Sequence, residues 1–218
     1  ERLVQLYRSW PGLDYGSNSI PHFQDVRDRS GDVFSDVAAW GFAPMSLSAD
    51  GRNERLVGLM VSATFFRTYG VTPALGRFFI PGEEDRGPGA HPVAVLGNGL
   101  WRDRFGADPS VVGRTLLLNG HPFQVVGVAR TAKIRTLGEP PRPYIYRPYS
   151  QDYTTFATAV IRARGSAEPA LRAGFRALRE LDPEMVVVES KTMDEHLGIM
   201  LMPARMGALM ASAFAVVA

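Results

Sequence analysis

The pattern of apolar and polar positions changes period several times along the chain, and each change marks an element. Residues 1–7, ERLVQLY, read as strand-like. From Ser19 onward Ile20, Phe23 and Val26 recur at helical spacing, which predicts a helix with Ser19 as its N-cap and Gly31 as its stop. Residues 34–47 are then mostly apolar and rich in β-formers. Asp50-Gly51 supplies a turn and residues 55–61 bring the chain back, so a β-hairpin is predicted.

The middle of the chain carries shorter signals. Residues 64–69 predict a short helix closed by Gly70. Residues 81–92, PGEEDRGPGAHP, have the composition of a solvated surface excursion. A short buried strand is expected at 92–96. A helix follows at 99–105, with Trp101 and Phe105 four apart on one face. Asp108-Pro109 opens a further helical turn, the aspartate as N-cap and the proline at the first helical position. Next, TLLL, Asn119-Gly120 and HPFQVVGV read as two strands joined by a type I′ turn, in which both central residues need positive φ.

Residues 157–164 alternate as a strand, and 168–181 place Leu171, Phe175, Leu178 and Leu181 on one helical stripe that Asp182-Pro183 ends. Residues 185–188 read as a buried strand. Thr192 and Glu195 form a capping box that launches a last helix. Residues 197–218, LGIMLMPARMGALMASAFAVVA, contain Arg205 as their single charge. A membrane-spanning helix takes about 20 mostly apolar residues, so residues 206–218 are expected to begin one, the alternative being a buried C-terminal core helix of a soluble protein. Pro203 is placed as a kink or restart at the membrane surface. The pattern is thus an α+β chain with a βαβ-type unit at each end and a mixed α/β insertion between them. Its geometry is that of a domain held between two transmembrane helices.

Composition narrows the possible functions. With 45% hydrophobic and 21% charged residues among 218, the chain is globular, not disordered. Its net charge is only +2, and Lys and Arg are spread without a cluster, so the footprint of a nucleic-acid binder is missing. There is no cysteine, which excludes disulfides, thiolate catalysis and cysteine-bound zinc.

Candidate chemistry is sparse. His22, His91, His121 and His196 lie far apart, without the close spacing of metal ligands. Glu83-Glu84-Asp85 sits among glycines and prolines without the pattern of a calcium loop, and reads as solvated. Gly97-Asn98-Gly99 is too short to cradle phosphate and reads as a strand-to-helix turn, and no nucleotide-binding or nucleophile-elbow motif occurs. Residues 139–143, EPPRP, form a stiff extended linker. No catalytic, cofactor-binding or metal residue is assigned.

Several segments resemble a known family. SATFFRTYGVTPALGRFF and PVAVLGNGLWRDRFGADPSVVGRTLLLNGHPFQVVGVA are similar to the extracytoplasmic core domain of MacB-type ABC transporter permeases, which precedes an FtsX-like membrane domain. PYIYRPYSQ and LDPEMVVVESKTMDEHL look like the paralogous permeases without a fused ATPase. The resemblance implies a porter-like α/β subdomain split between residues 1–61 and 151–196. Residues 62–150 would form an inserted, sabre-like subdomain packed as a separate unit, and 197–218 the membrane-proximal helix and clipped transmembrane start. It also implies a non-catalytic role in the bacterial inner membrane, with this segment periplasmic. The expected partners are an ABC ATPase subunit that hydrolyses ATP in the cytoplasm, a second permease copy, a periplasmic adaptor and the bilayer. The rival reading is an extracytoplasmic ligand-binding or sensor domain. It requires a concave pocket with convergent polar groups, and Trp40, Tyr69 and Trp101 are its candidate lining residues.

Overall fold

A computed structural model describes residues 3–6, 8–10, 13–16, 19–29, 34–83, 89–131, 142–151 and 157–165, together with helical positions Pro169, Arg172, Arg176 and Glu180. The stripe of Leu171, Phe175, Leu178 and Leu181, the strand at 185–188, the Thr192/Glu195 capping box, His196 and the apolar tail lie outside the described residues. In chain order the elements are β1 (Leu3–Leu6), β2 (Arg8–Trp10), β3 (Leu13–Gly16), α1 (Ile20–Arg29), β4 (Phe34–Ala49) and β5 (Arg52–Val61). They continue with α2 (Phe65–Tyr69), β6 (Pro73–Gly76), β7 (Val93–Gly97), α3 (Asn98–Phe105), β8 (Thr115–Leu118), β9 (His121–Ala129), β10 (Ile145–Pro148) and β11 (Thr158–Ala163). The fold is mixed α/β and dominated by its sheet. Among the described residues no helix is long and apolar enough to cross a membrane.

Nine strands form one sheet in the order β1-β11-β4-β5-β10-β7-β9-β6, with β8 bridging β4 and β9. Strands from 1–61 and 151–165 therefore sit together at one end and those from 62–150 at the other. The two groups are not separate units, which corrects the expectation from sequence. β5 pairs in parallel with β10, and β8 reaches across to β4. The pairings β4–β5–β10–β7–β9–β8 thus return to β4 and close a ring. The physical reason is that β4 is sixteen residues long and overruns the first unit. Its early residues pair β11, while Leu47 and Ser48 on the same edge are left for Leu118 and Leu117.

Alternation puts one side-chain set of each ring strand on one face. Met45, Leu47, Leu56, Met60, Ala94, Leu96, Leu116, Leu118, Phe123, Val125 and Ile145 are all buried in one cluster. Register slips at β9, between the partners of Ala94 and Val95, where Val126 is an extra residue. That bulge keeps Val125 and Val128 on the same cluster while Val126 joins the other. The second cluster, on the opposite face, combines Ala38, Leu59 and Val61 with Phe65, Phe66, Val95 and Tyr146. Both clusters draw on both ends of the sheet, so neither end has a core of its own.

Local chemistry explains how α2 is launched. β5 pairs β4 only from Trp40 to Ala49, which leaves the edge at residues 37–39 unpaired by a strand. Ser62, fully buried, takes over: its N–H donates to Ala39 O at 2.9 Å and its Oγ accepts from Ala39 N at 3.0 Å. Thr64 Oγ1 lies 2.9 Å from Ser62 Oγ and donates to Val37 O at 2.6 Å. Buried backbone groups are thereby satisfied, and α2 is set against β4 and β11. Gly70 ends it in the left-handed region at φ 69°, as its glycine predicts.

The predicted turns fall where expected. Asn119 and Gly120 have φ of 52° and 82°, the type I′ signature. Asp108 caps the turn Pro109–Val111, its carboxylate accepting from Ser110 N at 2.9 Å and Ser110 Oγ at 2.6 Å. The Ser110 hydroxyl, then its N–H, and more weakly the charge of Arg114, hold the Asp108 carboxyl below the usual carboxylate range against a small desolvation cost. A carboxyl depressed in the folded state adds stability above its unfolded value and loses it as pH falls through the folded one. Asp108→Asn keeps a cap but cannot ionise. The stability difference between wild type and this variant should be constant near neutrality and shrink on acidification below the ordinary carboxylate range, as urea melts at stepped pH will show.

Candidate functional site

A cavity of about 540 Å³ opens on the described surface where β9 begins and β10 ends. Buried Phe123, Arg147 and Gln151 form its floor, and Pro92, Asn119 and His121 stand exposed at its rim. Arg147 follows Ile145 by two and so shares its face of β10. It is 3% exposed, its guanidinium carbon is 4.9 Å from the Phe123 ring centroid, and Nη2 is 3.8 Å from Met60 Sδ. Cation–π contact offsets part of the cost of burying the charge. Gln151 fixes the adjoining wall, accepting from Gly89 N at 3.1 Å and donating to Glu83 O at 3.4 Å.

Glu83 corrects one reading. The composition of the 81–92 excursion predicts a solvated loop, yet Glu83 is only 5% exposed, in a short helical turn at Pro81–Glu83. Its carboxylate accepts from Arg77 Nη2 at 2.7 Å, Arg77 Nη1 at 3.1 Å and Ile80 N at 3.0 Å. This forked pair raises the Arg77 guanidinium pKa, chiefly through the hydrogen bond, with desolvation opposing and the carboxylate charge assisting. Glu84 and Asp85 lie outside the described residues.

The proposed aromatic lining does not converge. Trp101 packs on the ring cluster and donates from Nε1 to Asp108 O at 2.8 Å, while Trp40 and Tyr69 pack on the opposite face. His91 is half-buried, His121 sits at the cavity rim, and among the described residues no group of three His, Asp or Glu comes together as a metal site. The described cavity residues include no acid, serine or cysteine. They can hold a polar group by hydrogen bonds and charge, but offer no nucleophile with a base beside it. Sequence reading missed Arg147 and Gln151. The available signal was an arginine two residues after Ile145 in YIYRPY, on the inward beat of an apolar strand.

With this geometry in place, the comparisons decide the family. The profile of the MacB-like periplasmic core domain matches residues 2–194. The chain belongs to that family. Its fold is similar to the periplasmic region of MacB from Actinobacillus actinomycetemcomitans, at 14% identity and a TM-score of 0.71, covering 91% of this chain and 92% of that one. It is also similar to the extracellular domain of the noncanonic ABC-type transporter YknZ from Gram-positive bacteria, at 15% identity and a TM-score of 0.62, covering 88% and 99%. No curated protein matches the sequence. The chain is thus a periplasmic or extracellular domain of the ABC permease type, as the motifs around Asn119-Gly120 implied.

Proposed function

We propose that this chain is the non-catalytic extracytoplasmic part of a permease subunit in a bacterial inner-membrane ABC transporter, and that it carries ATP-driven motion from the cytoplasm to the periplasmic side for efflux or export. The family match over residues 2–194 supports this reading most directly. ATP is hydrolysed by a separate nucleotide-binding subunit, consistent with the lack of any phosphate-binding motif here. The permease works as a dimer, anchored in the bilayer by flanking helices, with a periplasmic adaptor as a further partner and no nucleic acid. Residues 1–61 and 151–196 form the porter-like half, 62–150 the sabre-like half and 197–218 the path into the membrane.

The test uses the parent permease with its ATPase in proteoliposomes. Replacing residues 34–163 by a short linker should stop export while ATP hydrolysis continues. Export that survives the replacement sinks the proposal. The cavity favours a second reading, a sensor domain that binds a soluble ligand. His121→Ala, at the exposed rim, separates the two: export is unchanged on the transport reading, whereas a lost response with export intact supports the sensor.

A further inference from the structure

One seam of the ring, between β4 and β8, is closed by very little ladder. β4 and β8 share only the pairs Leu47↔Leu118 and Ser48↔Leu117, as few as β10 shares with β7, against four pairs between β5 and β10. The next rung would join Ser46 to residue 119, but there the chain must already turn, and Asn119 has φ 52°. A residue in that conformation takes its carbonyl out of the ladder. Asn119 nonetheless completes the rung: its N–H donates to Ser46 O at 2.9 Å, and its side-chain Oδ1 accepts from Ser46 N at 2.8 Å. The side-chain amide oxygen stands in for a backbone carbonyl.

Two further contacts flank this point. Arg114 pairs with Asp50 at 2.8 Å, and Arg104 Nη2 donates to Ala49 O at 2.5 Å. On the other face, α2 is tied to β4 and β11 by Arg67 with Asp36 and by Arg162 Nε donating to Thr68 O at 2.7 Å.

We propose that Asn119 is a clip that shuts the ring, so that the β8–β9 hairpin and β4 open together and the two ends of the sheet behave as one mechanical body. Asparagine fits because it tolerates positive φ and also carries an acceptor. Glycine would supply the turn alone. The inference stands apart from the transport reading, because its readout is amide exchange in the chain itself.

The experiment compares amide hydrogen exchange in wild type, Asn119→Gly and Asn119→Asp. In wild type the protected amides of β4, β8 and β9 should exchange in one slow class with those of β5 and β10, as a single cooperative unit does. Asn119→Gly keeps the turn and loses the acceptor, so exchange at Ser46 and in β8 should speed up by on the order of tenfold, with β5–β10 unchanged. Asn119→Asp keeps the acceptor and should stay within a factor of about three of wild type. A further variant checks the seam directly. A disulfide between Ser48→Cys and Leu117→Cys, which face each other, should restore slow exchange in the Asn119→Gly background. The proposal is overturned by a separate, fast β8–β9 class in wild type, by unchanged exchange at Ser46 in Asn119→Gly, or by Asn119→Asp behaving like Asn119→Gly.

Discussion

Replacing Phe66 with alanine should cost about 3–5 kcal/mol, the upper range for large-to-small changes in a packed core. Phe66 is 1% exposed and sits where α2 meets the outer face of the sheet. Its ring stacks on Phe78 with centroids 3.9 Å apart and planes at 11°, and meets Tyr146 edge-on at 5.0 Å and 68°. Phe65 and Phe79 complete the surround at 5.3 and 6.1 Å. Such aromatic pairs add about 0.5–1.5 kcal/mol beyond area burial. Tyr146 and Phe78 are anchored on different segments, so neither can swing in to fill the void without leaving its own partners. Against a total stability of about 5–15 kcal/mol, the loss is large. Urea melts should show a lower midpoint with an unchanged slope. A loss below about 1 kcal/mol, small for a buried phenylalanine, would mean that the face relaxes around the gap and is not packed as described.

That prediction depends on contacts the sequence did not display. Phe65 and Phe66 fall in a short helix because Gly70 marks its end, and a local signal of that kind is readable. The same holds for Asp50-Gly51, Asn119-Gly120 and Asp108-Pro109, whose φ demands and caps are set within two or three residues. Long-range pairing has no such signature. Nothing near residue 145 announces that β10 will lie beside β5, where Arg147 pairs with Met60 across 87 positions. The division into two separately packed units failed for that reason. The pattern identified which strands belong at each end, but the continuity between the ends comes from the length of β4 and the reach of β8.

The site was less legible than the fold. Glu83 lies in a stretch whose glycines, prolines and acids describe a solvated loop, and its burial depends on Arg77 across a turn. Composition counts the residues of a segment and is blind to one partner outside it. Arg147 is the complementary case. Its burial follows from strand alternation, but alternation becomes decisive only once β10 is known to be covered on both faces, by Met60 and Phe123 on one and by Phe66 on the other.

Gly127→Ala should be the most damaging single-carbon addition in the described chain, costing about 3 kcal/mol or more, at or above the top of the usual range for overpacking. Gly127 pairs with Gly76 on β6 and with Val95 on β7, immediately after the β9 bulge. A Cβ there would collide with the Arg77 carbonyl oxygen and lie 2.9 Å from both Arg77 N and Leu75 O. All three are backbone atoms, so relief requires β6 to move as a whole. Gly58→Ala is the control. The nearest atoms to its Cβ would all belong to the Met45 side chain, whose thioether can change rotamer, and the cost should be about 1–2 kcal/mol. Displacing β6 also carries away Phe78, which stacks on Phe66, and Phe79, which packs beside it at a tilt. Gly127→Ala and Phe66→Ala should therefore be less than additive, by about 0.5–3 kcal/mol in a double-mutant cycle. Additive losses, or a control as costly as Gly127→Ala, would show that β6 is not pressed onto β9 at this glycine pair.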